Sequence, residues 1–182
     1  MACSVACGGT QTSLGKCTPL LRKGGGKRLI GFTCDTTFTL KTDSAEWGTL
    51  FASDKAFFSP EGRISKDRGS ATAIEITSAQ QAVTGWEETV KFITYDSEAD
   101  FSDYDFYESL QERGGSGLIL GYLTEDDDFY QLPNVSVQPN DVREESSKLG
   151  NTYWEVDLIY RVASPVKPIN IAGLNDVIDA LL

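Results

Sequence analysis

The clearest pattern in this sequence is a strict alternation of apolar and polar side chains over residues 152–162. The apolar positions are Trp154, Val156, Leu158, Tyr160 and Val162. A period of two held over this length predicts a β-strand with one face in a core and the other largely in water. Such a strand spans roughly 36 Å at about 3.3 Å per residue, which is typical of sheets that continue across a subunit boundary.

Shorter runs of β-branched and aromatic residues predict further strands. These runs lie at residues 29–32, 36–40, 71–77, 87–95, 117–124 and 129–132. Alternation in the fourth run places Val90, Phe92 and Thr94 on one face. The acidic turn at residues 125–128 predicts a hairpin between the last two strands, which Pro133 ends.

Three segments have the spacing of amphipathic helices. Asp43 or Ser44 can cap the first helix, and residues 102–113 form the second. Residues 171–182 predict a short helix or docking tail, whose apolar stripe must pack on its own body or on a neighbour. The apolar positions are Trp47, Leu50 and Phe51 in the first segment, Phe106, Tyr107 and Leu110 in the second, and Ile171, Leu174, Val177, Ile178, Leu181 and Leu182 in the third.

These elements predict a mainly β fold of the α+β type. We expect an antiparallel β-sandwich or barrel with one flanking helix, an extended N-terminal arm and a C-terminal tail. The predicted parts are a basic, glycine-rich arm at residues 1–27, a β-rich assembly domain at 28–165, and a docking tail or short helix at 166–182.

Charge is divided unevenly along the chain. Residues 1–34 carry five basic residues and no acidic one, whereas the remainder holds 11 basic residues against all 27 acidic ones. Opposite charge on two parts of one chain favours attraction between copies, with the arm of one subunit against the acidic wall of its neighbour. The predicted subunit-interface residues are Arg22, Lys23, Lys27, Arg28, Trp154, Leu174 and Ile178.

The chain contains no histidine, and this restricts its chemistry. The Ser-His-acid and Cys-His nucleophilic arrangements cannot be built within it, and neither can zinc sites that use histidine. Carboxylates are numerous, but position singles out no catalytic pair. The sequence therefore predicts a protein that is not an enzyme, with no catalytic residues, no metal site and no cofactor.

The four cysteines lie in the first fifth of the chain, at Cys3, Cys7, Cys17 and Cys34. Three interpretations stay open: reduced thiols acting as small apolar residues, disulfides in an oxidising exterior, or a zinc site. Zinc has the weakest support, because only Cys3 and Cys7 form a close pair.

Two acidic stretches invite comparison with calcium sites. The stretch from Asp96 lacks the EF-hand pattern, since its sixth position is Phe101 and its twelfth is Tyr107. Residues 126–128 leave two alternatives, a loose calcium site or a solvated turn.

No apolar run approaches the roughly 18 residues that a membrane helix requires, and the N-terminus has no basic start or apolar stretch typical of a secretory signal. We therefore expect a protein made and used in a cytosol, or packaged from one, with no membrane partner.

The order of the predicted elements resembles that of tailed-bacteriophage virion proteins of the tail-tube and connector-ring kind. The resemblance covers about residues 28–165 and is carried by the segments 76–80, 85–87 and 151–156, with one helix between Thr94 and Gly117. It implies a β-sandwich that joins side by side into a ring or tube around a DNA passage, with the arm and terminal extension on adjacent subunits. The cysteine-bearing arm departs from that pattern.

The resemblance also implies the partners and the location. We expect copies of the chain itself, neighbouring virion proteins, and DNA that passes through the lumen without sequence-specific binding. The location would be the virion, assembled in the host cytoplasm, and an acidic wall would let DNA slide without sticking. The alternative is a non-catalytic binding module of a virion or cell surface, either calcium-dependent or carbohydrate-recognising.

Overall fold

The computed structural model describes residues 25–77, 80–95, 102–113, 117–143 and 152–182. The strands are β1 Gly26–Thr33, β2 Ala56–Phe58, β3 Arg63–Thr77, β4 Gln80–Tyr95, β5 Leu118–Thr124, β6 Asp128–Gln131, β7 Ser136–Arg143, β8 Thr152–Val162 and β9 Ile169–Asn170. The helices are α1 Ser44–Ala52, α2 Ser102–Arg113 and α3 Leu174–Asp179.

The nine strands of the described residues belong to one antiparallel sheet, in the order β7-β8-β4-β3-β1-β5-β6-β9, with β2 also paired to β1. The joint between β1 and β3 is a single residue pair, Gly26 with Ile64, whereas β1 and β5 pair along the whole of β1. Buried residues of β4 and β8 share one core with residues of β1 and β5, so the sheet folds over at this joint. The predicted mainly β, antiparallel fold is confirmed.

The first core lies between the two halves of the folded sheet. Val90, Phe92 and Thr94 point into it, as their alternation predicts, and Tyr107 of α2 stacks on Trp154 with ring centroids 4.7 Å apart. The buried members are Leu29, Val90, Phe92, Tyr107, Leu110, Leu120, Tyr122, Leu132, Val135, Val137, Trp154, Val156, Leu158, Tyr160 and Val162. The alternation of β8 and the inner stripe of α2 are thus confirmed.

The second core lies on the opposite face of β1, β5 and β6, under α1 and α3. Trp47 is fully buried there, and its ring lies between 4.8 and 5.6 Å from those of Phe32, Phe38 and Phe129. The predicted cap of α1 is confirmed, because the Asp43 carboxylate accepts a hydrogen bond from the backbone N–H of Ala45.

The strand predicted at residues 36–40 is wrong, because this segment has no regular secondary structure. The Glu46 carboxylate accepts hydrogen bonds from the backbone N–H groups of Thr39 and Leu40, at 2.6 and 2.8 Å, so those amides are not available to a neighbouring strand. The aromatic ring of Phe38, which suggested a strand, instead packs on Trp47.

Two further differences concern missed strands and the length of the C-terminal helix. The sequence pattern missed β2, the first half of β3 and all of β7. The predicted helix at residues 171–182 is shorter, since α3 covers only Leu174–Asp179. The hairpin of β5 and β6 is confirmed, and its turn places Asp127 at a positive φ of 60°.

Candidate functional site

A two-stranded ribbon projects from the root of the β3–β4 hairpin. β8 pairs with β4 only up to Trp86, which lies opposite Val162. Beyond that point, residues 71–77 of β3 and 80–85 of β4 pair with each other, and no other strand in the described part of the chain pairs with them. We call these residues the ribbon.

Two glycines lie where the ribbon leaves the body. A Cβ on Gly69 would lie 2.6 Å from the carbonyl oxygen of Glu87, and one on Gly85 would lie 3.0 Å from that of Val162. The pairing register also shifts between Arg68 and Ala71, as in a β-bulge. Bulges bend and twist a strand, so the local backbone sets the angle between the ribbon and the body.

A buried polar network braces the body just below this root. The Glu88 carboxylate is 3% exposed, and Lys66 Nζ and Tyr160 Oη lie 2.7 and 2.8 Å from its Oε2 atom. Burial, followed by the hydrogen bond to Glu88, raises the pKa of Tyr160 well above the usual tyrosine range. In the strand register, Glu88 of β4 lies opposite Arg68 of β3 on one side and opposite Tyr160 of β8 on the other. The network of Lys66, Glu88 and Tyr160 therefore joins β3, β4 and β8.

An open groove of about 380 Å³ lies on the outer face of the sheet near this network. It is lined by Glu87, Asn134, Ser136, Ile159, Tyr160 and Arg161. Glu87 and Arg161 already form an ion pair with each other at 3.1 Å, with the Arg161 side chain largely exposed and that of Glu87 nearly half exposed. The Tyr160 hydroxyl is committed to Glu88. In this groove the Glu87 carboxylate is therefore already engaged by a cation, and the Tyr160 hydroxyl by a carboxylate.

Two of the predicted basic interface residues are neutralised within this chain. Arg28 is 2% exposed, and its Nη2 atom lies 2.9 Å from Glu61 and 2.8 Å from Asp179. Lys27 lies 2.8 Å from Glu61 and 3.3 Å from Asp179, and its hydrogen bond to Glu61 raises its pKa. These cations tie the start of β1 to the end of α3. Arg22 and Lys23 lie outside the described residues, as does nearly all of the predicted arm.

The apolar residues predicted at the subunit interface lie in the chain's own interior. Trp154 is 5% exposed, and Leu174 and Ile178 are fully buried. Trp154 belongs to the first core, and the other two belong to the second. The C-terminal segment thus buries Leu174 and Ile178 on its own body, whereas Leu181 and Leu182 at its end are exposed. None of the three predicted side chains is available on the surface of the described chain.

The acidic turn at residues 126–128 anchors the C-terminal segment. Asp127 accepts hydrogen bonds from the backbone N–H groups of Gly173 and Asn175, at 2.8 and 2.9 Å, and from the Asn175 side chain at 2.7 Å. Asp128 accepts one from Asn170. Neither the calcium alternative nor the solvated-turn alternative describes this role, because the carboxylates of Asp127 and Asp128 serve as hydrogen-bond acceptors for the tail.

The remaining sequence predictions about metals fall partly outside the described ranges. Among the described residues, no three histidine, cysteine or acidic side chains are grouped closely enough to hold a metal ion. Cys34 is an exposed free thiol, while Cys3, Cys7 and Cys17 lie outside the described ranges, as does the loop that begins at Asp96. Among the described helices, none has both the length and the apolar character to cross a membrane.

The sequence predicted a strand at residues 71–77 but not the ribbon. The signal available in the sequence is the low charge of residues 69–86, in which Glu75 is the single charged residue.

No family model matches the sequence, and comparison with curated proteins finds no relative.

Proposed function

We propose that this protein is a structural, self-assembling subunit that forms a ring or tube, of the kind found in tailed-bacteriophage virions as a tail tube or head–tail connector. Its partners would be copies of itself, neighbouring virion proteins, and DNA passing through the lumen. The observation that carries self-assembly is the ribbon, which leaves the body without a partner strand among the described residues. The virion assignment is carried by the sequence resemblance.

Isolated ribbons are poor structures on their own. A two-stranded antiparallel hairpin in water is marginally stable at best, and independent stability requires a third strand or a packed face. A chain that extends its two longest strands, of 15 and 16 residues, beyond its own sheet therefore needs a second surface to complete them. In a self-assembling subunit, another copy supplies that surface.

Charge is compatible with a DNA passage. The chain has a net charge of −11, and an acidic wall repels the phosphate backbone, so that DNA slides without being held. The same charge keeps free subunits soluble before they assemble. The calcium-dependent alternative lacks a comparable observation, because the acidic turn is occupied by hydrogen bonds to the tail.

The test is the native mass of the purified full chain, measured by light scattering after size exclusion. We expect a closed oligomer in the unmodified protein. We expect a monomer when residues 72–85 are replaced by Asn-Gly, a two-residue turn that joins Ala71 directly to Trp86 at the existing pair. Circular dichroism would confirm that the shortened variant is folded. A monomeric unmodified chain at high concentration would contradict the proposal.

A further inference from the structure

We propose that neighbouring copies join edge to edge through their ribbons, with the outer edge of β3 in one copy pairing with the outer edge of β4 in the next. This inference rests on the proposed self-assembly and specifies the surface that performs it. The occupant of each ribbon edge is thus a second copy of this chain.

The ribbon has two free backbone edges. On the β3 side, the single pair between Gly26 and Ile64 is the last contact with β1, so residues 65–77 have no second strand partner among the described residues. On the β4 side, residues 80–85 lie beyond the end of β8. Unpaired N–H and C=O groups on such edges form a template for another strand.

The ribbon lacks two of the usual protections against such pairing, a high density of charge and proline, although its register shifts at Thr72/Ala73 and Glu75/Thr77. Its β3 half, residues 71–77, has four β-branched residues out of seven, one charged residue and no proline. Charged residues make up 24% of the whole chain, so the ribbon is less charged than the chain as a whole. Segments with high β propensity, low charge and no proline are the ones that pair readily with other strands.

The remaining outer edges in the described sheet are protected. β7 has Pro139 in its middle, β9 has two residues, and β2 has three. β3 itself carries the consecutive charges of residues 66–68 where it runs beside the body. Short edge strands, proline and charge are the standard means of preventing edge pairing. Within β3, three consecutive charges lie beside the body and a single charge, Glu75, lies beyond it. This contrast marks the ribbon as the edge left open for contact.

Rotational symmetry fits this pairing. Copies related by rotation about a ring axis keep their ribbons pointing the same way, so β3 of one copy runs antiparallel to β4 of the next. The contact is head to tail, and such contacts form a ring when the rotation between successive copies closes. Each joint can pair the six residues 80–85 with its neighbour, an overlap of about 20 Å. Closing the ring leaves no ribbon edge unpaired.

Disulfide cross-linking tests the pairing directly. In a full-length background with all four cysteines changed to serine, one set of variants carries Ala73→Cys or Ile74→Cys, and another carries Ala82→Cys or Val83→Cys. Consecutive positions sample both faces of each strand. We expect cross-linked dimers when a β3 variant is mixed with a β4 variant before assembly, and a loss of these dimers when each variant assembles alone.

Charge on the edge gives a second readout that does not depend on disulfide geometry. Ile74→Lys should abolish the oligomer, because a lysine on an open edge blocks strand pairing. Gln138→Lys is the matched control, since it adds the same charge to the exposed edge strand β7. We expect Gln138→Lys to keep the native mass, and an equal loss in both variants would overturn the proposal.

The outcomes separate this inference from the function on which it rests. Dimers that form only between identical variants indicate two-fold pairing and overturn the head-to-tail arrangement. Assembly that proceeds without cross-links in any mixture, and that survives Ile74→Lys, overturns edge pairing but leaves self-assembly intact. A chain that never assembles overturns the proposed function itself.

Discussion

The ribbon and the C-terminal segment, residues 169–182, are both extensions of the folded body, but they differ in whether the rest of the chain packs against them. The C-terminal segment is held by three fully buried apolar residues, Ile171, Leu174 and Ile178, and by the carboxylate of Asp127. The ribbon has no partner strand among the described residues. The first extension is completed within the chain, and the second is left to be completed from outside.

This difference separates stability from assembly. Contacts that a single chain makes with itself contribute to its free energy of unfolding, whereas a surface that is completed by another copy contributes only once the copies meet. Substitutions in the C-terminal segment should therefore change the unfolding of the monomer. Substitutions in the ribbon should change the mass of the assembly.

The largest effect is expected at Ile178. Ile178→Ala removes a fully buried side chain and leaves a cavity in the second core, and such changes cost about 2–5 kcal/mol. Urea unfolding of the shortened variant that lacks residues 72–85 measures this without interference from assembly. In the full chain, Ile74→Ala should weaken the oligomer instead. The comparison fails if Ile74→Ala leaves the mass of the full-chain oligomer unchanged.

The next effect is expected at Asp127. Asp127→Ala leaves the backbone N–H groups of Gly173 and Asn175 without their acceptor, at a cost of about 1–3 kcal/mol. Asp126→Ala is the matched control, because the exposed Asp126 contributes only its backbone carbonyl to Asn170. Hydrogen exchange should show faster exchange at residues 169–179 in Asp127→Ala alone. Equal exchange in both variants would mean that the turn does not anchor the tail.

The elements that the sequence predicted well depend on strong local periodicity. The alternation in β8 and the helical spacing of Trp47, Leu50 and Phe51 both describe one buried face, and both are confirmed. β7 has no such signal, because Pro139 interrupts its centre and its two valines, Val137 and Val142, fall on opposite faces of a period-two pattern. That strand forms because β8 offers it a partner, and long-range pairing leaves no trace in a local window.

The candidate site was harder to predict for a related reason. Lys27 and Arg28 read as free cations in the sequence, but their partners Glu61 and Asp179 are distant in sequence and meet them only in the fold. The strand at residues 71–77 was predicted, yet its projection beyond the body depends on where β8 and β1 end. Local pattern identifies a strand, whereas the set of its neighbours decides whether it is core or edge.

The network at the root of the ribbon predicts a pH effect in the body. Tyr160 holds its proton in the folded state because its pKa is raised, while the unfolded chain loses that proton near pH 10. The unfolded state therefore binds fewer protons above pH 10, and stability falls as pH rises, by up to about 1.4 kcal/mol per pH unit from this group. Lys27 acts in the same direction above pH 10.5, because its folded pKa is also raised.

Tyr160→Phe isolates this contribution. The variant should be less stable at pH 7, since it loses the hydrogen bond to Glu88, but it should lose less stability between pH 10 and 11. The difference in unfolding free energy between the unmodified protein and the variant should thus narrow as pH rises, as urea titrations of chains that both lack residues 72–85 would measure. A difference that stays constant across this range would mean that Tyr160 ionises normally in the fold.

The smallest effect is expected from salt, and it decides which part of the chain drives assembly. Screening shortens the range of exposed charges from about 10 Å at 0.1 M salt to about 3 Å at 1 M. Ribbon pairing involves few charges, so the free energy of association should change by less than about 1 kcal/mol. Any change should favour association slightly, because screening also weakens the repulsion between copies of net charge −11.

An arm-driven assembly would behave in the opposite way. The charges of Lys16, Arg22 and Lys23 would then attract acidic neighbours. Screening by salt would reduce the binding free energy, and a reduction of about 1.4 kcal/mol weakens association tenfold. Changing these three residues to glutamine should leave a ribbon-driven oligomer intact at both salt concentrations. Dissociation of the oligomer both in 1 M salt and in this variant would show that the arm, and not the ribbon, forms the subunit interface. Charge attraction is the one interaction that both conditions remove.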